Sequence, residues 1–144
     1  MSRVINTNSP TKIRNARRRL IAELMQRMGS KQQIDDEVKD MAAAIVFSLR
    51  EIYDTCETAA KAWEKRDYWM KAERFLREWR WTLTMAANIE DVIREGAWEL
   101  IPQLLIELFP KFNDIQVKTL TKKPIEWEGA YKRLLDQEPN VLPY

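Results

Sequence analysis

From Ser30 to Glu95 the chain runs for 66 residues without a glycine or a proline. Those two residues are the main destabilisers of a helix interior, so this window constrains the fold more than any other feature. All three glycines and all six prolines lie outside it. A single rod of that length would be about 100 Å long, at about 1.5 Å per residue. The window is therefore predicted to fold back on itself.

The hydrophobic spacing says where. Ile34, Val38, Met41, Ile45, Leu49, Ile52, Cys56, Ala59 and Trp63 follow one another at steps of three and four, close to a coiled-coil seam. The seam finds no apolar residue at Lys65-Arg66-Asp67. It resumes as Tyr68, Ala72, Phe75, Trp79, Leu83, Ala86, Ile89 and Val92 or Ile93. Two long seams joined by a short turn predict an antiparallel αα-hairpin, with helices over 31–65 and 68–95. Ser30 with Gln33 reads as a capping box for the first, and Asp67 as an N-cap for the second.

A further helix is predicted over 10–28, with Ser9 as N-cap, Pro10 in the first helical position and Gly29 as a left-handed C′ residue. Beyond Gly96 a shorter apolar helix ends before Pro110. Residues 111–123 are predicted to be extended and docked. A last helix, 124–136, buries Trp127, Tyr131, Leu134 and Leu135. The expected fold is all-α: an up-and-down helical bundle built on a long antiparallel αα-hairpin, with shorter C-terminal helices. It forms one domain over 10–136, between an N-terminal extension (1–9) and a tail (137–144).

Composition narrows the chemistry. The chain has no histidine, which excludes histidine general bases and every Ser-His or Cys-His nucleophile. One cysteine, Cys56, cannot form an internal disulfide or a thiolate zinc site. Cys56 lies in the first hairpin seam and reads as a small core residue. Three isolated glycines build no phosphate loop. The N-terminal residues carry no apolar signal region, and no stretch reaches the ~20 apolar residues of a membrane span. Cytoplasmic residence, no cofactor, no bound metal and a non-catalytic role are the expectations.

Charge is uneven although the net is only +2. Residues 1–31 carry +7, residues 32–64 carry −5, and residues 65–81 carry +3. Lys12, Arg14, Arg17, Arg18 and Arg19 place five cations in eight residues, and Arg3 lies nearby. Such a cluster can neutralise nucleic-acid phosphates, or it can pack on the acidic second helix. Arg17 falls within the apolar stripe of Ile13, Leu20 and Leu24, where an unpaired guanidinium would be costly.

A second cluster is the aromatic-basic run from Trp63 to Trp81, holding four of the six tryptophans. On a continuous helix Trp81 shares a face with Arg74 and Arg77, and could stack a base or a partner's side chain. Alternatively, a neighbouring element covers it. Two acidic pairs, Glu37 with Asp40 and Glu51 with Asp54, could present oxygens to Mg²⁺, or simply form a solvated face.

The sequence thus predicts a non-catalytic binding protein associating with nucleic acid or a nucleoprotein through a basic N-terminal helix. Its candidate contacts are Lys12, Arg14, Arg17, Arg18, Arg19, Arg74, Arg77 and Trp81. The alternatives are a protein–protein adaptor or assembly subunit, with a protein partner or a second copy, and a carboxylate-only Mg²⁺-dependent enzyme.

Overall fold

Each helix end is set by a local device, and those devices place the turns. A computed structural model describes residues 9–139. The N-terminal extension, apart from Ser9, and the tail beyond residue 139 lie outside the described residues. Helix α1, Pro10–Gly29, opens as the sequence predicts: the Ser9 side chain accepts the Lys12 N–H at 3.3 Å, and Pro10 stands in the first turn. Its end corrects the reading. Gly29 is helical, and the chain leaves through Ser30, whose hydroxyl donates to the Arg27 carbonyl. Ser30 therefore closes α1 and does not cap the next helix.

Helix α2, Asp36–Glu64, is instead capped by Asp35, which accepts the Val38 N–H at 2.8 Å. Ile34 falls before the helix and is exposed. From Val38 to Cys56 the predicted seam residues are all buried. The helix stops where its seam fails. Tyr68 N–H reaches back to the Trp63 carbonyl and Asp67 N–H to Glu64, while Asp67 adopts φ 64°. This is the Schellman arrangement, with aspartate in the left-handed position usually held by glycine. Asp67 ends α2; it does not cap α3.

The second arm of the hairpin is interrupted. Helix α3, Trp69–Trp79, and helix α4, Trp81–Glu95, meet at Arg80. There the ladder tightens: Arg80 N–H bonds to the Arg77 carbonyl, and Leu83 N–H to that of Arg80. The buried Thr82 hydroxyl donates to the Trp79 carbonyl at 2.7 Å. Threonine back-bonding of this kind bends helices. The seam residues Ala72, Ala86, Ile89, Val92 and Ile93 are buried; Phe75, Trp79 and Leu83 are half-buried, and Tyr68 is exposed.

Gly96, with φ 68°, ends α4 by a second Schellman pair of bonds. A single 3₁₀ turn at Trp98–Leu100 leads into helix α5, Ile101–Leu108, shorter than the sequence predicts because Pro102 delays its start. The last predicted helix is also shortened. A 3₁₀ turn, Pro124–Glu126, precedes Gly129 at φ 79°, and helix α6 is only Ala130–Leu135. Trp127 and Leu134 are buried as expected, whereas Leu135 is exposed and Ala130 takes its place.

Helices α1, α2 and α3–α4 form an up-and-down all-α bundle around α2, with α6 on the flank of α2. No described helix is long and apolar enough to cross a membrane. The extended segment after α5 straps α1. Arg18 donates to the Lys111 carbonyl and to both carboxylate oxygens of Asp114, and the buried carboxylate of Glu23 accepts the N–H groups of Thr121 and Lys122. Ile115 and Val117 pack on the core beneath. The role of that segment is to close the bundle over α1.

Candidate nucleic-acid interface

Antiparallel packing brings the N-terminal half of α1 beside the C-terminal half of α2, and hence beside α3. Arg14 Nε donates to Thr55 Oγ1 at 3.1 Å, while its guanidinium lies 5.0 Å from the Phe75 ring and 5.4 Å from the Trp79 ring. A row of aromatic rings runs along this junction. Trp63 meets Phe75 edge-on at 4.9 Å, Phe75 meets Trp79 at 6.3 Å, Trp79 stacks on Trp81 at 6.1 Å, and Trp81 meets Phe112 at 5.8 Å. Residues two apart on a regular helix do not face each other. The Trp79–Trp81 stack exists because the ladder breaks at Arg80.

A cation lies against each of the five rings of the row. Lys71 Nζ is 4.5 Å from Trp63, Arg14 spans Phe75 and Trp79, Lys111 is 5.1 Å from Trp81, and Arg18 is 5.4 Å from Phe112. Ring faces are negative and attract cations, by about 0.5–1 kcal/mol where exposed and more where water is excluded. The row is thus a half-buried aromatic seam with positive charge along it.

The predicted contact residues divide. Arg14, Arg18 and Trp81 come together on the seam. Arg17 turns to the other side of α1, with Nε 2.8 Å from Glu51 Oε2 and a longer approach of 4.0 Å to Glu126. It is the guanidinium in the apolar stripe, and its partner is on the acidic second helix. Lys12 and Arg19 are exposed. Arg74 and Arg77 are exposed on the outer side of α3, Arg77 paired with Glu73 at 2.8 Å. Trp81 does not share their face. The break at Arg80 turns it onto Trp79 and Phe112, where it packs against the core.

The spacing puts Tyr68 on the second seam and gives Trp69 and Met70 no place in it, yet the structure exposes all three. At the α2–α3 turn Tyr68, Trp69 and Met70 are contiguous and 47%, 59% and 76% exposed. Trp69 and Met70 do not belong to the three-four seam of Ala72, Phe75 and Trp79. They follow the one place where an apolar seam fails, which is the signal that could have found them.

No protein family, curated protein or solved structure matches this chain.

Of the two acidic pairs all but Asp54, which is exposed, engage their side chains in the fold. Glu37 meets Lys31 at 2.7 Å, Asp40 accepts the Gly129 and Tyr131 N–H groups, and Glu51 holds Arg17. No group of three potential metal ligands occurs among the described residues. Cys56 is buried among the seam residues, and burial pushes its thiol pKa up. Asp114 lies below the ordinary carboxylate range, chiefly because Arg18 hydrogen-bonds to it.

Proposed function

We propose that this chain is a non-catalytic, cytoplasmic nucleic-acid-binding protein whose contact surface is the end of the bundle where α1 begins and α2 turns into α3. The supporting observation is the aromatic row with its accompanying cations, which ends at the exposed turn. Lys61, Lys65, Arg66, Lys71 and Arg74 are exposed at that turn or within two helical turns of it, interspersed with Glu57, Glu64, Asp67 and Glu73, and antiparallel packing puts Lys12, in the first turn of α1, toward the same end. Cations placed on one end can follow a phosphate backbone, and interleaved rings can meet the bases. Compared with the basic helix alone, this surface draws on Lys12 from α1 and leaves Arg14, Arg17 and Arg18 mainly to hold the fold.

The test is anisotropy titration of labelled DNA and RNA oligonucleotides at several salt concentrations. Binding should weaken steeply with salt. Replacing Lys65, Arg66 and Lys71 together by glutamine should flatten the log–log slope by about two units for a single strand, at about 0.7 per lost phosphate contact. Tight binding with an unchanged slope would take the turn out of the interface.

A second reading, an adaptor or assembly subunit, is supported by one specific feature. An apolar groove of about 570 Å³ lies between the end of α1 and α5, lined by Met25, Met28, Ile34, Ile101, Leu105 and Phe109. Analytical ultracentrifugation of the purified chain tests it for self-association: a monomer across the micromolar range rules out a second copy in that groove.

A further inference from the structure

The exposed turn carries more information than its charge. The left-handed Asp67 reverses the chain immediately after α2, so residues 68–70 sit at the apex of the hairpin. Among the described residues no element covers them. Leaving a tyrosine, a tryptophan and a methionine side by side in water forgoes the favourable burial of much of their apolar surface. Contiguous exposed apolar groups of this kind mark interaction surfaces. The base of the turn is firm: Trp63 is fixed edge-on to Phe75, which is itself held by Arg14.

We propose that Tyr68 and Trp69 form a stacking platform for unpaired nucleobases, with Arg66 and Lys71 holding the adjoining phosphates. The inference rests on the nucleic-acid reading above and narrows it to single strands. The platform borders an open depression of about 780 Å³ lined by Trp63, Arg66, Asp67, Trp69, Met70 and Lys71. Arg66 lies over one face of the Tyr68 ring at 5.1 Å and Lys71 over Trp63 at 4.5 Å, while among the described residues no cation or ring lies against Trp69, so the indole of Trp69 is the free stacking face and Tyr68 offers only its other side. Bases in a duplex have their faces covered by their neighbours. Only an unpaired base offers a free face to a surface ring, and because every base has one, the preference for sequence is weak.

Asp67 decides between a nucleic acid and a lipid surface. Basic residues around exposed tryptophan, tyrosine and methionine also suit a membrane interface. Inserting this apex into lipid headgroups would carry the Asp67 carboxylate into the same low-dielectric layer as Trp69 and Met70, at a large desolvation cost. Against a strand in water the same carboxylate stays hydrated, and it can accept from the exocyclic amino group of cytosine, adenine or guanine; thymine has none, so an oligothymidylate isolates the stacking contribution.

The experiment uses the full chain and four probes: a labelled oligothymidylate of about 12 nucleotides, within the usual range of single-strand site sizes, an abasic strand of equal length, a hairpin duplex, and anionic phospholipid vesicles. The oligothymidylate should bind more tightly than the abasic strand and the duplex. Trp69→Ala should weaken oligothymidylate binding roughly 5- to 150-fold, the range set by loss of one base stack. It should leave abasic-strand binding unchanged, and Trp69→Phe should recover most of the loss. Thermal melting of both variants should match the parent, since Trp69 supports nothing in the core. Equal binding of the oligothymidylate and the abasic strand, indifferent to Trp69, would overturn the stacking platform while leaving the nucleic-acid reading standing. No binding to any strand, together with vesicle binding that shifts tryptophan emission to the blue and needs Trp69, would overturn both.

Discussion

The carboxylate of Glu23, in the middle of α1, accepts the backbone N–H of Lys122 at 2.8 Å across 99 positions of sequence. Its other oxygen, Oε1, takes the Thr121 N–H at 2.9 Å, and Arg27, one turn along α1, donates to Oε2, the oxygen that holds Lys122, at 3.1 Å and to the Lys122 carbonyl at 2.9 Å. One buried acid therefore ties the strap to the helix it crosses. A buried carboxylate is tolerable only when its oxygens are satisfied in this way.

Removing that acid should loosen the strap. Glu23→Ala leaves two backbone donors and a guanidinium without their acceptor, so a loss of about 2–4 kcal/mol is expected in urea unfolding. A loss under about 0.5 kcal/mol would mean that Ile115, Val117 and the Arg18 contacts hold the strap without Glu23.

The same site sets an acid limb of stability. Burial raises the Glu23 pKa, but the N–H groups of Thr121 and Lys122 and the Arg27 guanidinium outweigh it and leave the pKa below its ordinary 4.5. The charged form is thus favoured in the folded state. The stabilisation is present above the unfolded value and is lost as pH falls through the folded one. Asp114 shifts in the same direction. Unfolding midpoints measured from pH 6 down to pH 3 should fall for the parent below about pH 4.5. They should fall less for Glu23→Gln, which starts lower and has no charge there to lose.

The basic cluster should split into structural and free members. Arg18→Gln gives up the Lys111 carbonyl and the Asp114 pair, and a loss of about 1 kcal/mol is expected because solvent screens the exposed Asp114. Arg14→Gln removes a cation from two rings at once and should cost a similar amount. Lys12→Gln and Arg19→Gln should leave the melting temperature unchanged. Equal effects across all four would contradict the contacts seen here.

How much of this was legible depended on whether a residue's role was local. Ser9, the Val38–Cys56 seam and the failure of that seam at Lys65-Arg66-Asp67 are matters of neighbours in sequence, and each could be read directly. Helix ends were less so. Gly29 invited a left-handed reading, yet Ser30 could close α1 from an ordinary helical conformation, while Asp67 took the left-handed position without being glycine. The break at Arg80 depends on the Thr82 hydroxyl choosing the Trp79 carbonyl, which spacing does not announce, and it turns Trp81 from an outer face onto Trp79 and Phe112 at the edge of the core. Glu23 was invisible as a site because its partners are backbone groups 98 and 99 residues away.

The hairpin core should behave as its seam implies. Leu49 is fully buried at the centre of α2, and Leu49→Ala should cost about 2–5 kcal/mol in denaturant unfolding. Met70→Ala, at the exposed apex, should change stability by under about 0.5 kcal/mol. A large loss at Met70 with a small one at Leu49 would invert the assignment of inside and outside.

The last expectation concerns Arg94, which holds the end of α6. Its Nε donates to Glu90 at 2.6 Å, and one of its terminal nitrogens donates to the carbonyls of Leu134 at 2.8 Å and Gln137 at 2.9 Å. Glu90 is buried and is shared with Arg50 of α2, so it keeps a partner if Arg94 is removed. Helix α6 has only six residues and cannot persist on its own propensity. Its first turn is pinned separately, by Asp40 accepting the Gly129 and Tyr131 N–H groups. Arg94→Leu should therefore fray the C-terminal end of α6 without unfolding the bundle. Brief trypsin treatment should cut after Lys132 or Arg133 faster than in the parent, while exchange of the α2 core amides stays slow. Adding Asp40→Asn should release the whole helix and accelerate cleavage further. If Arg94→Leu leaves cleavage unchanged, burial of Ala130 and Leu134 suffices to hold α6, and the guanidinium serves Glu90 alone.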